Sequence, residues 1–481
     1  MSAVRSLAWN YAGSAIQLVL QLGCTAITAR LVAPEAFGAY ATAQTVAALL
    51  GFFAGSCVAT CLMRAEQLTR ALLRSATSLA ALAGVGMTVA AQLIAPLVAG
   101  AWHMAAAKSM LQILSLQFLT QPASLAATTA LRRLAYPVAA VRAELLGQVG
   151  GSAAMLFLLV SGWNPYAIAA AMPLTTALTL GLAFVPLARI QLPKGNRIRI
   201  SELLGDTGFF TGYGLVQSLT NYAPLWLTGA LLGPAAAGQF SRASLLSGVP
   251  LHVLSQGLYR AATPPLAAAR AHRMASAAHD VLCAASATAL IALGAFAGIG
   301  PALLLLVLGP GWETATRLVP LLAGGAALSL MLTMGIALDQ VRRAPGACVR
   351  TQIWVIATTA SFLVAAWSEH SLMLCAAAGT AGPAAGLLAQ HVQWYRKQVL
   401  PLRPLLIAHS VHMMVATALF LAGRLGMHGI PARRVATGCA AMAPVLLFCV
   451  LLRRRLPIYS VARRYTPQLG ASRPQDAQQP P

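Results

Sequence analysis

The stretch TARLVAPEAFGAY, residues 28–40, ends one long apolar run with an arginine and passes through a proline and a glycine into another apolar run. A similar stretch, TGALLGPAAAGQF, lies 200 residues later, at residues 228–240. In both stretches proline and glycine occupy the same two positions. A turn between apolar segments that occurs twice at one spacing predicts a duplicated set of helical hairpins.

The composition is that of a membrane protein. Apolar residues make up 58% of the chain and charged residues 9%, with a mean hydropathy of +0.72. Soluble proteins carry about 25% charged residues, and a helix needs about 20 apolar residues to cross the bilayer. The sequence therefore predicts an all-α polytopic membrane protein with about fourteen transmembrane helices, at residues 10–31, 38–62, 75–98, 104–131, 144–162, 165–187, 207–231, 237–260, 280–308, 315–341, 350–367, 371–393, 404–423 and 435–452.

The net charge of +23 is explained by topology rather than by a nucleic-acid partner. If the N-terminus lies in the cytoplasm, 26 of the 33 lysines and arginines fall in cytoplasmic segments. This distribution follows the positive-inside rule. It predicts a multi-pass membrane protein with both termini cytoplasmic and no DNA or RNA partner.

The recurrence extends beyond the turns. At the shift of 200, Gln17 corresponds to Gln217 and Gln21 to Asn221, and at a shift near 210 Trp102 corresponds to Trp312. Each half holds six predicted spans, so the two copies have the same orientation and form parallel repeats around an axis along the membrane normal, as in many secondary transporters. The predicted domains are an N-terminal lobe (1–188), a basic interlobe linker (189–206), a C-terminal lobe (207–393), and two additional helices with a basic tail (394–481).

Polar residues follow one face of the first helix of each repeat. Gln17 and Gln21 stand four residues apart on the first span, and Tyr213, Gln217 and Asn221 repeat the same spacing on the seventh. Amide side chains also supply ordinary hydrogen bonds between helices in membrane bundles, and that alternative stays open. Their matching positions in both repeats favour the walls of a central, water-filled substrate cavity.

Charges near the spans indicate an anionic substrate. Arg30 and Arg242 are candidate substrate-binding residues, because an arginine in a membrane usually faces a cavity or a partner; snorkelling to the headgroups is the alternative. Lys108 and Arg317 are candidate basic residues of the outer mouth. The ten acidic residues fall in loops, in the tail or near span ends, so no carboxylate is predicted at mid-membrane. Amides and arginines without acids suit an anion that carries hydroxyl groups.

No catalytic or metal site is indicated. The eight cysteines lie mostly inside spans, and none has metal-ligand spacing. His103, His370 and His428 lie in separate short loops without clustered partners. We therefore expect no cofactor, no metal and no enzymatic activity.

Three stretches resemble the oligosaccharide (O-antigen or exopolysaccharide, Wzx-type) flippases of the multidrug/oligosaccharidyl-lipid/polysaccharide (MOP) exporter superfamily. They are TARLVAPEAFGAYATA at the first turn, LLGPAAAGQFSRASLL at the turn of the second repeat, and ALRRLAYP after the fourth span. The resemblance covers roughly residues 5–395. It implies a MATE-like fold with two lobes around a central cavity. It also implies a carrier that moves undecaprenyl-diphosphate-linked oligosaccharide units across the bacterial inner membrane by alternating access.

The same resemblance gives roles to individual residues. Arginines of such a carrier would bind diphosphate or acidic sugars, and Arg242 occupies the place of the polar or basic residue that often follows the turn. Its partners would be the lipid-linked oligosaccharide, membrane lipids and polysaccharide polymerase or export machinery. A multidrug extruder or a lipid II flippase of the same superfamily remains the alternative.

Four residues are expected to break the chain into tight outer turns: Pro34, Gly38, Pro234 and Gly238.

Overall fold

A computed structural model gives the architecture of residues 3–64, 68–134, 136–190, 193, 208–268, 271–425 and 430–451. Over these residues the chain is helical and contains no β-strand, which confirms the predicted all-α class. The helices are α1 (Ala3–Leu31), α2 (Pro34–Arg64), α3 (Arg70–Ala101), α4 (Ala105–Ser115), a 3₁₀ turn (Leu116–Leu119), α5 (Gln121–Arg133), α6 (Pro137–Val160), α7 (Ala167–Arg189), α8 (Gly208–Ala268), α9 (Ala271–Leu308), α10 (Glu313–Val341), α11 (Pro345–Glu369), α12 (Leu372–Arg396), α13 (Leu402–Leu425) and α14 (Pro431–Leu451).

Eight of the helices in the described part of the chain are long and apolar enough to cross a bilayer. They are α3, α6, α7, α9 (from Met274), α10, α11, α12 and α13. Many of their side chains face outward although they are large and apolar, for example Leu82 and Phe157. Such an apolar exterior is stable only in lipid, so the prediction of a polytopic membrane protein is confirmed.

Two predicted spans have a different internal structure from a simple helix. The span predicted at residues 104–131 is divided into α4 and α5 by the 3₁₀ turn at Leu116–Leu119, because Pro122 in the first turn of α5 cannot donate a backbone hydrogen bond. The spans predicted at 207–231 and 237–260 are joined in α8. Helix α8 has a kink at Gly233, whose φ of +82° is the left-handed conformation that glycine tolerates.

The chain forms two compact units. Unit 1 comprises Met1–Arg242, Val307–Thr314 and Ala365–Cys375, and unit 2 comprises Ala243–Leu306, Ala315–Val364 and Ala376–Pro481. The lobe boundaries proposed from the sequence remain predictions. Most of the proposed interlobe linker, residues 191–192 and 194–206, and the basic tail from residue 452 lie outside the described residues.

Small residues hold the helices of each unit together. In unit 1, Gly147 and Gly151 of α6 bring this helix against Thr175 and Thr179 of α7. A Cβ atom added to Gly147 would lie 3.0 Å from the α7 backbone and one added to Gly151 would lie 2.8 Å from it, both closer than ordinary van der Waals contact. In unit 2, Gly294 of α9 lies against Ala416 of α13, so the first additional helix packs directly on the second repeat. Close backbone approach through small residues is how helices associate in lipid, where apolar burial alone does not drive packing.

Candidate substrate site and the paired turns

The two homologous turns lie just before Pro34 and Pro234. Val32 and Ala33 form the first turn and Gly233 the second. Pro34 is the first residue of α2, and Pro234 follows the bend of α8 directly. Proline suits these positions because it lacks the backbone N–H that the first turn of a helix leaves unpaired.

Gly38 and Gly238 have a different role from the predicted one, since both lie inside helices and break neither. A Cβ atom added to Gly38 would lie 2.8 Å from the carbonyl carbon of Pro234. A Cβ atom added to Gly238 would lie 2.8 Å from the carbonyl carbon of Pro34. The two helix starts therefore cross in direct backbone contact, and the glycines are needed for this approach rather than for a turn. The contact is reciprocal, as a two-fold relation between the repeats requires.

Two tryptophans repeat this reciprocity. The indole N–H of Trp102 donates to the carbonyl oxygen of Trp226 at 2.8 Å, so a residue of the first repeat holds the first helix of the second. The indole N–H of Trp312 donates to the carbonyl oxygen of Ala29 at 3.3 Å, so a residue of the second repeat holds the first helix of the first. The correspondence of Trp102 and Trp312 inferred from sequence thus has a structural counterpart.

Arg242 lies buried in the cluster that forms at the paired turns. Its side chain is 7% exposed, and its guanidinium carbon stands 4.4 Å from the ring centroid of Phe37. The Phe37 ring also contacts Trp312 edge to face at 5.6 Å. The Nε atom of Arg242 is buried without a hydrogen-bond partner among the described residues. A desolvated guanidinium with a donor to spare is suited to a phosphate or carboxylate, once the cluster opens to admit one.

The other predicted cations are exposed. Arg30 lies one residue before the end of α1, and its side chain passes Gly309, where an added Cβ would be 3.7 Å from the Arg30 Nε. Lys108 on α4 and Arg317 on α10 are exposed as well.

The amide of Gln239 donates to the carbonyl oxygen of Gly311 at 2.6 Å and so ties α8 to the turn that precedes α10.

The polar stripe residues remain accessible in unit 1. Gln17, Tyr213 and Gln217 are half-buried, and Gln21 and Asn221 are exposed. An amide that faced hydrocarbon would lose the hydrogen bonds it makes to water. Exposed amides within otherwise apolar helices therefore indicate contact with water.

Unit 2 contains a buried carboxylate whose environment the sequence did not reveal. Asp339, near the end of α10, is 1% exposed and accepts hydrogen bonds from the Gln390 amide at 3.2 Å and the Trp394 indole at 3.0 Å. Arg342 lies 3.6 Å from the same carboxylate. The site was hidden because Gln390 and Trp394 belong to α12, about 50 residues away in the chain. These donors make Asp339 a structural residue that fixes α10 to α12.

A histidine cluster in unit 2 was also missed. The rings of His391 on α12 and His409 on α13 are 5.5 Å apart, and His391 also contacts Trp394 at 5.3 Å. On α13, His412 shares a 2.8 Å hydrogen bond with Ser286 of α9. His409 and His412 stand three residues apart on α13, but His391 and Ser286 belong to two other helices, so spacing along the chain does not predict the cluster. In the described part of the chain, no group of three or more His, Cys, Asp or Glu side chains has the arrangement of a metal site.

The sequence profile of the family described as "Polysaccharide biosynthesis protein" matches residues 27–317, which is more than half of the chain. A comparison with curated proteins finds no match.

Several solved structures share the fold. One is described as "Lipid II flippase MurJ, inward closed conformation", with a TM-score of 0.69 at 10% sequence identity, covering 93% of this chain and 99% of that one. A MOP-superfamily transporter from Pyrococcus furiosus matches with a TM-score of 0.57 at 16% identity, covering 86% of this chain and 95% of that one. A MATE transporter in the bent conformation matches at 0.54 and 14% identity, over 82% of this chain and 94% of that one. These likenesses show the MATE-like fold that the sequence predicted.

Proposed function

Since this chain belongs to the polysaccharide biosynthesis protein family and has the MOP transporter fold, we propose that it is a flippase for undecaprenyl-diphosphate-linked oligosaccharide repeat units. It would move them from the cytoplasmic to the outer leaflet of the bacterial inner membrane for surface or exopolysaccharide synthesis. The observation that supports the proposal is the presence, in the same unit, of exposed amides on α1 and α8 and of a buried arginine whose Nε has no hydrogen-bond partner among the described residues.

The chemistry of these residues fits the two polar parts of such a substrate. Guanidinium groups form paired, charge-assisted hydrogen bonds with phosphate oxygens, which is the role we assign to Arg242 and, at the outer mouth, Arg30. Amides donate and accept hydrogen bonds at once, and so match sugar hydroxyls; Gln17, Gln217 and Asn221 would provide them. Lys108 and Arg317 would attract the anionic headgroup near the outer surface.

The paired turns supply a mechanism for alternating access. In the structure the backbone contact of Gly38 and Gly238 with the opposite helix starts closes this end of the two hairpins. Separating the hairpins would uncover Arg242 and the edge of Phe37 together, because both lie in the same cluster. Binding of a diphosphate to the uncovered guanidinium would replace the Phe37 contact and favour the open state.

A reconstituted flipping assay tests the proposal. The purified chain is placed in liposomes that contain a fluorescent undecaprenyl-diphosphate disaccharide, and dithionite added outside reports the fraction of label that has reached the outer leaflet. We expect flipping by the wild type, at least tenfold slower flipping by Arg242→Gln, and an intermediate rate for Arg242→Lys, which keeps the charge but loses the paired geometry.

Arg424→Gln is the matched control, because Arg424 also lies over a phenylalanine ring, that of Phe420 at 5.8 Å, but is exposed at the end of α13. Thermal unfolding of each variant separates loss of transport from loss of folding. Equal rates for Arg242→Gln and Arg424→Gln in folded protein would overturn the assigned role of Arg242. Failure of the wild type to move the diphosphate-linked lipid would overturn the proposed function.

A lipid II flippase is the second candidate, favoured by the coverage of almost the whole of the MurJ chain at a TM-score of 0.69. Complementation separates the two. Rescue of a strain depleted of its lipid II flippase would favour this candidate, whereas rescue of a strain that lacks its oligosaccharide flippase would favour the proposed function.

A further inference from the structure

A groove of about 650 Å³ runs between α11 and α12 on the surface of unit 2. One face of each helix lines it. From α11 the lining residues are Arg350, Trp354 and Thr358, which stand one helical turn apart. From α12 they are Ala385, Leu388, Ala389, Val392, Gln393, Arg396 and Lys397.

The groove has one cationic end. Arg350, Arg396 and Lys397 lie together there, all three are exposed, and no acidic residue is among its lining residues. Gln393 orients one of these cations, because its carbonyl oxygen accepts from the Arg350 Nε at 3.2 Å while its amide donates to the Thr351 hydroxyl at 3.2 Å. A guanidinium held in this way is preorganised for an anion.

The remainder of the groove is apolar and faces outward. Leu388 is 69% exposed, Trp354 58% and Val392 50%, and the small side chains of Ala385 and Ala389 provide its depth. The apolar part of the groove, from Ala385 to Val392, is about 10 Å long along α12 at 1.5 Å per residue, and the whole groove to Lys397 is about 18 Å long. One leaflet's hydrocarbon is roughly 15 Å thick. The groove therefore has room for a headgroup at its cationic end and for the adjoining part of an acyl chain.

A second groove on the other side of α12 provides a contrast. It is larger, at about 920 Å³, and Leu388 and Val392 border it as well. Among its lining residues Arg403 is the single lysine or arginine. The cluster of three cations is therefore a feature of the α11–α12 groove, and not of every apolar groove beside α12.

We propose that the α11–α12 groove is a binding site for an anionic glycerophospholipid, whose phosphate binds Arg350, Arg396 and Lys397 and whose acyl chain lies along Ala385, Ala389 and Val392. Under the topology predicted from the sequence, the cationic end lies on the cytoplasmic side. That leaflet is rich in anionic lipid, and basic pockets between transmembrane helices on that side bind such headgroups. The site is separate from the residues assigned to the transported substrate, so it stands whether or not the proposed function holds.

Native mass spectrometry of the purified full chain tests the site, with phosphatidylglycerol and phosphatidylcholine of identical acyl chains as probes. We expect tighter binding of phosphatidylglycerol to the wild type. The triple variant Arg350→Gln, Arg396→Gln, Lys397→Gln should weaken it about 100-fold, which is about fivefold for each cation at about 1 kcal/mol per basic residue. Ala389→Phe keeps all three charges but fills the groove, and should also weaken it at least fivefold.

The matched control is Arg74→Gln, Arg142→Gln, Arg343→Gln, which removes the same charge from exposed positions on the same predicted side but outside the groove. It should retain phosphatidylglycerol binding. Equal binding of the two lipids by the wild type, or equal loss in both triple variants, would overturn the site. Displacement of phosphatidylglycerol by inorganic phosphate alone would show a simple anion site. Displacement by a short-chain lipid diphosphate at equal concentration would show that the groove belongs to the substrate.

Discussion

The reciprocal contacts of Gly38 and Gly238 predict how substitutions there shift the equilibrium between the closed state, in which the paired turns touch, and the open state, in which they separate. Alanine at position 38 would place its Cβ 2.8 Å from the Pro234 carbonyl carbon, whereas ordinary contacts lie between 3.4 and 4 Å. The Pro234 carbonyl oxygen lies closer to this Cβ than the carbonyl carbon does, so the two helix starts must separate by more than the ~0.6 Å that the carbon alone would require. The obstacle is rigid backbone rather than a flexible side chain.

Overpacking of this kind costs about 1–3 kcal/mol. The cost falls on the state in which the turns touch, so Gly38→Ala should shift the equilibrium toward the open state by about 5- to 150-fold. Gly238→Ala should act with the same sign and a similar size, because its Cβ meets the Pro34 carbonyl carbon at the same distance.

Cysteine labelling measures this shift. Ala237 is fully buried next to Gly238, so a cysteine at this position in an otherwise cysteine-free chain reacts with a water-soluble maleimide only when the turns separate. We expect faster labelling in Gly38→Ala and Gly238→Ala than in the parent. Gly100→Ala is the control, since a Cβ there meets no atom within 4 Å. Labelling of the two turn variants at the rate of this control would refute the view that the glycines hold the turns closed.

Three further predictions concern stability and are measured by thermal and denaturant unfolding. Phe37→Leu removes the ring beneath the buried guanidinium and should destabilise the protein by about 1–2 kcal/mol, whereas an unchanged unfolding midpoint would contradict the cation–π contact. Gln390→Leu removes one of the hydrogen-bond donors to the buried Asp339 carboxylate and should lower the free energy of unfolding by about 1–3 kcal/mol. Adding Asp339→Asn should recover part of this loss. No recovery would show that the unpaired carboxylate does not cause the destabilisation. Trp102→Phe and Trp312→Phe each remove one indole hydrogen bond, and each should lower the free energy of unfolding by about 0.5–1.5 kcal/mol. Strongly unequal losses would argue against equivalent roles of the two tryptophans in the two repeats.

The periodic features of the chain could be predicted from sequence because local sequence determines them. Apolar length gave the membrane helices, and the repeated proline and glycine of residues 28–40 and 228–240 marked the two homologous turns. The role of Gly38 and Gly238 was misjudged, since a glycine near a proline is typical of a turn. Only the crossing of two distant helix starts shows that the missing Cβ is what matters.

Local sequence patterns could not predict the buried polar sites of unit 2 either, because their residues are distant in the chain and meet only in the fold. Asp339 looks like a charge at a helix end until the donors of α12 are brought beside it. His391 and His409 lie on neighbouring helices whose relative rotation decides whether the rings meet. In the sequence, the three cations of the α11–α12 groove look like the basic residues that commonly flank membrane helices. Only the packing of α11 against α12 shows that they line one groove.

The most direct test of the proposed flippase function is to delete the gene in its host and measure surface polysaccharide together with the lipid-linked intermediates of the inner membrane. We expect loss of the surface glycan and accumulation of diphosphate-linked repeat units in the cytoplasmic leaflet, both reversed by the wild-type chain. Normal surface glycan with increased sensitivity to cationic drugs would contradict the proposed function.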